Sequence, residues 1–325
     1  MSLGLKRVIL SLNNDYDKEK NRGEIGSLKS YLKLLSFFDK DKLILHPPTS
    51  SDFGEMQDQE FQIWNDELLN FDIDSGNKNN HKKILQLIDS KEREDTLKFM
   101  QMTDYIDLIV PRGGKGLINA LVENAKVPFI LDGDGNVHLY VHTDAKRSDI
   151  IDIVLNSKVQ RPGVCNALET LIIHNDIYQE MGNEIITALL DADVELFLDK
   201  KIVGNYENIE VATDLHYETE FHDLKLAIKV VDNINEAIDH VNLFSSGHTE
   251  SILTESDENA ELFTSSIDSS VLFINASTRF TDGEMFGFGA EIGISTQKLH
   301  VRGPMGLEAL TSEKYVVKGK GTIRK

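Results

Sequence analysis

The sequence predicts an α/β protein with a parallel sheet, and two observations support this prediction. Candidate strands and helices alternate along most of the chain from residue 82 onward, and such alternation favours parallel strands joined by crossover helices. The apolar run 106–110 leads directly into a glycine-rich turn, as expected for a buried strand followed by a helix. A chain of 325 residues is long enough for two domains and a sizeable core.

The individual elements follow from apolar spacing, taken in chain order. Residues 1–81 predict strand 7–12, helix 25–38, strand 42–46 and helix 53–69, with a polar linker over 72–83. The rest of the chain predicts strands 82–87, 106–110, 127–131 and 224–231, and helices 92–101, 116–124, 149–155, 177–190 and 234–243. A final alternating segment, 313–319, predicts an edge strand.

Composition excludes several classes of partner. The formal net charge is −20, whereas nucleic acids and anionic membranes attract clustered Lys and Arg, so neither is expected as a partner. The sequence has no apolar run of 18 or more residues and no secretory signal. A single unpaired cysteine fits a reducing compartment, so a cytoplasmic location is expected. No spacing of His, Cys, Asp and Glu is typical of a metal site, so no metal is expected.

Cys165 is the only cysteine, and its neighbours favour chemistry at the thiol. Pro162-Gly163 predicts a turn directly before it, Arg161 supplies positive charge, and an apolar run begins at Leu168. A thiolate is strongly nucleophilic once its pKa is lowered, and either Arg161 or a helix N-terminus after the turn would lower it. The alternative, from composition alone, is a small buried apolar residue.

Four blocks of the chain carry a resemblance to a known family. They are 107–118, 275–283, the run from 286 through His300 to 306, and 157–170, which reads Ser-Lys-Val-Gln-Arg-Pro-Gly-Val-Cys-Asn-Ala-Leu-Glu-Thr. The blocks extend over about residues 82–325 and follow one another in the same order as in the gamma-glutamyl phosphate reductases, members of the aldehyde dehydrogenase superfamily, which they resemble. Long blocks in a shared order are far more specific than a single glycine motif.

The resemblance implies an aldehyde dehydrogenase-like α/β fold with an incomplete parallel-sheet cofactor lobe, an α/β catalytic lobe and a C-terminal oligomerisation strand. The implied domains are an unassigned segment 1–81, a partial cofactor lobe 82–155, a catalytic lobe 156–278, a return to the cofactor lobe 279–305 and an arm 306–325. In this fold the last strand pairs with a neighbouring subunit, which implies a homo-oligomer.

The resemblance also implies a reaction. Cys165 would attack the small-molecule substrate glutamyl 5-phosphate and expel phosphate, and the resulting thioester would be reduced by NADPH to glutamate 5-semialdehyde, a step in proline biosynthesis. The backbone N–H of Asn166 would serve as an oxyanion donor. The family usually has Glu-Thr where this chain has Leu131-Asp132. In the wider superfamily a glutamate at this point serves as general base, which leucine cannot do. Reduction of an acyl phosphate, however, needs no activated water.

Further site residues are carried over from the family onto matching positions. The cofactor would lie against Arg112, Gly113, Gly114, Gly133, Glu220 and Phe288, and the substrate against Arg161, His248 and Arg279. A carboxylate such as that of Glu220 suits a ribose diol, and a guanidinium fork suits a carboxylate or phosphate. Without the resemblance, Glu220 could be a solvated acid and Phe288 a core aromatic. Gly113 and Gly114 could serve only to make a tight turn.

Part of the family pattern has no counterpart in this sequence. Residues 1–81 lack the Ala-Arg-Pro-Asn segment whose asparagine completes the family's oxyanion hole. Two hypotheses follow. In the first, the chain is a working reductase in which residues 1–81 or another chain supply the missing half. In the second, it is a non-catalytic homologue that acts as a binding or assembly module.

Overall fold

The computed structural model describes residues 4–5, 8–11, 44–46, 93–111, 115–131 and 133–324. Strands β1–β14 are Gly4–Leu5, Val8–Ser11, Ile44–His46, Leu108–Val110, Val137–Val141, Leu168–His174, Glu195–Leu198, Glu210–Val211, Lys225–Val231, Thr249–Leu253, Val271–Ile274, Ile294–Ser295, Gly303–Pro304 and Thr311–Ser312. Helices α1–α7 are Arg93–Phe99, Lys115–Asn124, Arg147–Val159, Asn175–Asp191, Asp214–Tyr217, Ile234–Phe244 and Asp257–Ser266. The predicted α/β class with a parallel sheet is therefore confirmed.

The chain divides into two compact units at positions other than the predicted ones. The first unit contains 1–131, 288–292 and 305–325, and the second contains 132–287 and 293–304. The predicted lobe boundary at 155/156 falls inside α3. The physical reason is that residues 132–155 contribute a strand, β5, to the interior of the second unit's sheet.

The first unit is built on a three-stranded parallel sheet in the order β3-β2-β4. Strand β2 of the unassigned N-terminal segment pairs with β3 on one side and with β4 on the other, so both β2 and β3 belong to this sheet. The predicted strand 127–131 is reduced to one parallel bridge between Ile109 and Phe129. Leu131 packs against the apolar cluster of this unit.

The C-terminal strand differs from its prediction as well. Strand β14 covers only 311–312 and pairs antiparallel with β1 of the same chain, and residues 313–319 form no strand within this chain. Pairing with a neighbouring subunit stays a prediction. The predicted helices 25–38 and 53–69, the linker 72–83 and the strand 82–87 lie outside the described residues.

The second unit is a seven-stranded, wholly parallel sheet in the order β11-β10-β5-β6-β9-β7-β8. Helices α3 and α4 cover one face, where Val154 and Ile177 pack with strand residues such as Leu171. Helices α6 and α7 cover the other face, where Val241 and Phe263 join a second apolar cluster. Successive side chains of a strand point to opposite faces of the sheet. The position of a polar residue along its strand therefore decides which face it occupies.

Among the described residues, no helix is both long enough and apolar enough to cross a bilayer.

Candidate active site

Four loops meet at one edge of the seven-stranded sheet. They precede β5, β6, β9 and β10, which are neighbours in the order β10-β5-β6-β9. Because the strands are parallel, their amino-terminal ends lie at the same edge. Each loop carries one predicted site residue: Gly133, Cys165, Glu220 and His248. The topology therefore gathers residues that are far apart in sequence.

Cys165 lies in the irregular turn between α3 and β6, and we call residues 160–167 the thiol turn. Its side chain is partly exposed, so the interpretation as a fully buried apolar residue is wrong. The turn is closed by a bond from the Ala167 N–H to the Val164 carbonyl at 2.9 Å. A strand, not a helix, follows it, so no helix N-terminus acts on the thiol from this side, contrary to one of the two predicted sources of positive potential.

Gly135 lies directly against the backbone of the thiol turn. A Cβ atom at this position would be 1.8 Å from the Cys165 carbonyl oxygen and 2.4 Å from its carbonyl carbon. Such a separation is far inside van der Waals contact, and the obstructing atoms are backbone. Only glycine therefore allows the loop before β5 to approach the thiol turn this closely.

Residues 277–281, which include a short 3-10 helix, form a strap that binds the end of α3 before the thiol turn and Asn166 within it. At one end, the Ser157 hydroxyl lies 3.1 Å from the Ser277 hydroxyl. At the other, the Thr278 hydroxyl donates to the Asn166 carbonyl and the Asn166 side-chain amide donates to the Thr281 carbonyl, both at 2.7 Å. These bonds use the carbonyl and side chain of Asn166. Its backbone N–H has no hydrogen-bond acceptor among the described residues.

Arg279 lies on the strap, and its charge acts on the thiol turn. Its Nε donates to the Gln160 side-chain carbonyl at 2.8 Å. Burial lowers the pKa of Arg279 below its ordinary value, and the charge of Arg161 lowers it further. Cys165 and Asp282 act in the opposite direction, which places the thiol within electrostatic reach of the guanidinium. Arg161 itself is exposed.

Lys158 and Glu169 form a buried ion pair beneath the thiol turn. The Lys158 Nζ lies 2.7 Å from Glu169 Oε2, and the two side chains are 0% and 1% exposed. Burial raises the pKa of Glu169, while the charge and the hydrogen bond of Lys158 oppose this increase and favour the carboxylate. Burial lowers the pKa of Lys158, and the charge of Glu220 opposes that decrease while it adds to the increase at Glu169, so the Glu220 carboxylate lies near the pair. Its Oε2 lies 3.4 Å from the His222 Nε2.

His248 is completely buried, so the structure does not place it at an exposed surface for direct contact with substrate. Its Nδ1 lies 2.8 Å from the Thr249 hydroxyl, which donates to the Thr281 hydroxyl at 2.9 Å. Burial lowers the pKa of His248 to about 4, so the ring is neutral near pH 7. His248 thus contacts the strap through two hydroxyls.

A second polar cluster is buried on the α6/α7 face. Glu250 Oε2 accepts from the His138 backbone N–H at 2.7 Å and lies 3.1 Å from the His138 ring. The His240 ring lies 5.7 Å from that of His138, edge to face. Burial, and secondarily His138, lowers the pKa of His240 to about 3. His240 is therefore neutral in the folded protein across most of the pH range.

We expect His240→Leu to reduce the acid sensitivity of the fold. A histidine with a folded-state pKa near 3 binds a proton only after unfolding, so its contribution is complete above pH 6.5 and declines as pH falls towards 3. At pH 5 the loss is about 2 kcal/mol. The free energy of unfolding should therefore fall less between pH 7 and pH 5 in the variant than in the wild type, by about the amount just given. Urea unfolding at the two pH values measures this. His300→Leu, at an exposed position, is the control; an equal change in both variants would contradict the assignment.

The remaining predicted residues are placed as follows. Arg112, Gly113 and Gly114 lie outside the described residues. Phe288 belongs to the first unit and is 49% exposed, so it is not a core aromatic. Gly133 donates its backbone N–H to the Ile294 carbonyl at 3.3 Å. Within the described residues, no group of three or more His, Cys, Asp or Glu side chains could hold a metal ion.

Several residues of the site were missed in the sequence. They are Gly135, Ser157, Lys158, Glu169 and Thr281. Nothing in the local sequence distinguishes three of them, Ser157, Glu169 and Thr281, from ordinary polar residues of a helix, strand or loop. The signal that could have found two of them is the 11-residue separation of Lys158 and Glu169 on either side of the only cysteine, because a helix-turn-strand unit brings such positions together.

Comparisons with known structures define the class of protein. An acetylating aldehyde dehydrogenase from Geobacillus thermoglucosidasius aligns over 99% of this chain and 77% of its own, with a TM-score of 0.69 and 14% identity. This likeness shows the fold, which is that of the aldehyde dehydrogenases. No model of a known protein family matches the chain.

A closer likeness defines the family. The crystal structure of gamma-glutamyl phosphate reductase from Thermotoga maritima aligns over 98% of this chain and 73% of its own, with a TM-score of 0.78 and 35% identity. Reductases of that name from Bacillus cereus and a Thermoanaerobacter species are 49% and 51% identical over 244 residues. The chain belongs to the gamma-glutamyl phosphate reductase family. It spans 59% and 58% of the length of these two curated relatives and is covered over 75% and 74% of its own.

Proposed function

We propose that this protein reduces L-glutamyl 5-phosphate to L-glutamate 5-semialdehyde, a step in proline biosynthesis, with NADPH as hydride donor and Cys165 as nucleophile. The single observation that supports this most is the thiol turn: a partly exposed cysteine held by the strap within electrostatic reach of Arg279. Family membership supplies the substrate class. The proposal includes a cytoplasmic location and a homo-oligomer formed through 313–319.

The chemistry follows from the side chains at the amino edge of the sheet. The Cys165 thiolate attacks the acyl carbon, a C–S bond forms, and the C–O bond to phosphate breaks with its electron pair leaving on phosphate. Hydride addition to the thioester carbon then places negative charge on oxygen. The Asn166 backbone N–H is the proposed donor to that oxygen. Collapse of this adduct expels the thiolate and leaves the aldehyde.

The residues of each unit fit a nicotinamide cofactor in part. In the first unit, the glycine-rich sequence 112–114 separates β4 from α2, which begins at Lys115; a helix N-terminus of this kind suits a pyrophosphate. In the second unit, Glu220 presents a carboxylate whose side chain is 11% exposed, and carboxylate oxygens suit ribose hydroxyls. When bound, the cofactor supplies the hydride. Gly133 and Phe288 are the further proposed cofactor contacts.

Arg279 is the proposed ligand of the substrate's carboxylate or phosphate. We expect Arg279→Gln to raise KM for the semialdehyde about 10- to 100-fold, because a charge-assisted hydrogen bond contributes about 1.5–3 kcal/mol. Arg279→Lys keeps the charge and loses the fork, so it should lie between Gln and the wild type. Steady-state kinetics in the oxidising direction measures both. Equal KM values for all three proteins would show that Arg279 does not bind the substrate.

The test of the function is an assay in the reverse direction. Glutamate 5-semialdehyde, phosphate and NADP⁺ are supplied to the purified chain, and NADPH formation is followed by absorbance, with phosphate omitted as the control. Phosphate-dependent NADPH formation supports the proposal. If no NADPH forms and a fluorescence titration shows no saturable NADPH binding, the non-catalytic binding or assembly module becomes the better hypothesis.

A further inference from the structure

The buried ion pair lies across the thiol turn in a way that the proposed chemistry does not use. Lys158 is in the last turn of α3, and Glu169 is the second residue of β6. Their side chains meet at 2.7 Å and are 0% and 1% exposed. The pair therefore joins the chain just before the thiol turn to the chain just after it. Neither side chain is exposed to a substrate.

The same pair also faces the loop before β9, at residues 220–222. The Lys158 Nζ lies 6.0 Å from the centroid of the Phe221 ring. The His222 backbone acts to lower the pKa of Glu169, so it lies near that carboxylate, and His222 has a left-handed φ of 54°. A Cβ on Gly163 would lie 3.4 Å from the His222 carbonyl oxygen, so this loop packs against the thiol turn as well. Three segments of the amino edge thus meet at one ion pair.

We propose that Lys158 and Glu169 are positioning residues that hold the Cys165 turn and the Glu220 loop in register with one another. This inference rests on the proposed function, in which Cys165 is the nucleophile and Glu220 a cofactor contact. The ammonium of Lys158 binds Glu169 and attracts Glu220, and it lies 6.0 Å from the ring of Phe221 in the same loop. Neither residue touches a reacting atom, so both would act through the geometry of the groups they hold.

Stability alone is a poor reason for this pair. Taking two charges out of water costs about as much as their attraction returns, and replacing such a pair with apolar side chains of similar size is often neutral. The surrounding face is apolar: Val154 and Leu171 belong to the cluster that α3 and β6 share. An apolar pair would therefore fill this space. It would supply neither the charge-assisted bond between α3 and β6 nor the attraction of Lys158 for Glu220.

The experiment compares thiol reactivity and turnover in the double variant K158M/E169L. Cys165 is the only cysteine, so alkylation by iodoacetamide reports on it alone. We expect the variant to fold with a urea midpoint close to that of the wild type. We also expect the alkylation rate and kcat to fall about tenfold or more, because displacement of reacting groups by about 1 Å has effects of this size. A variant with wild-type alkylation rate and kcat would overturn the proposal.

Two further proteins keep the test decisive. Should the double variant fail to fold, E169Q, which keeps an acceptor for Lys158, is expected to slow alkylation measurably; an unchanged rate would overturn the proposal. The matched control K225M/E195L removes an exposed pair between β9 and β7 and should leave alkylation unchanged. If the wild type shows no turnover, the proposed function fails, while the alkylation rates still decide whether the pair positions the thiol turn.

Discussion

Replacing Cys165 with serine is expected to abolish turnover while leaving the fold intact. A serine hydroxyl is barely ionised near pH 7, so the covalent step loses its nucleophile, and kcat should fall more than about a thousandfold. The substitution is nearly isosteric at a partly exposed position, so the unfolding midpoint should change little. The semialdehyde-dependent assay measures the effect on kcat.

The controls for this variant separate lost chemistry from lost structure. Urea unfolding and circular dichroism of Cys165→Ser should match the wild type. NADPH should still bind, because the proposed cofactor contacts are other residues. A serine variant that keeps more than about a tenth of the wild-type kcat would show that the nucleophile lies elsewhere, or that the reaction does not proceed through a covalent intermediate.

The substitution Gly135→Ala is expected to be strongly destabilising and to inactivate what remains folded. Its Cβ would overlap the Cys165 carbonyl, at 1.8 Å from the oxygen. Because the obstacle is backbone, relief requires the whole thiol turn or the loop before β5 to move. We expect a loss of about 3 kcal/mol or more in the free energy of unfolding, at the upper end for overpacking. Urea unfolding measures it.

Gly204→Ala is the matched control. No heavy atom lies within 4 Å of a Cβ built on Gly204, in the same unit, so its free energy of unfolding should change by no more than about 0.5 kcal/mol. Alkylation of Cys165 should slow or accelerate in the Gly135 variant and stay unchanged in the control. Equal stabilities for the two variants would mean that the loop before β5 does not approach the thiol turn as described.

The comparison of sequence with structure shows which elements can be predicted from the local sequence pattern alone. The helices α3, α4 and α6 were predicted because their apolar residues recur at helical spacing, and β9 because it is a short segment rich in apolar residues. A helix N-terminus after Pro162-Gly163 was one of two possible sources of positive potential at the thiol, and the structure has the buried strand β6 there; periodicity alone does not separate a short buried strand from a helix. The predicted lobe boundary at 155/156 falls inside α3, and no local signal shows that β5 pairs with β6 and β10.

The sequence by itself determined the α/β class, the family, and the residue on which the proposed chemistry depends, since a lone thiol after a Pro-Gly turn is a local signal. Only the tertiary structure decided which distant residues join it. Parallel pairing brings the amino ends of β5, β6, β9 and β10 to one edge. It thereby sets Gly135 against the Cys165 backbone. The physical reason is that strand order is settled by long-range pairing and burial, which leave no mark at the individual residues.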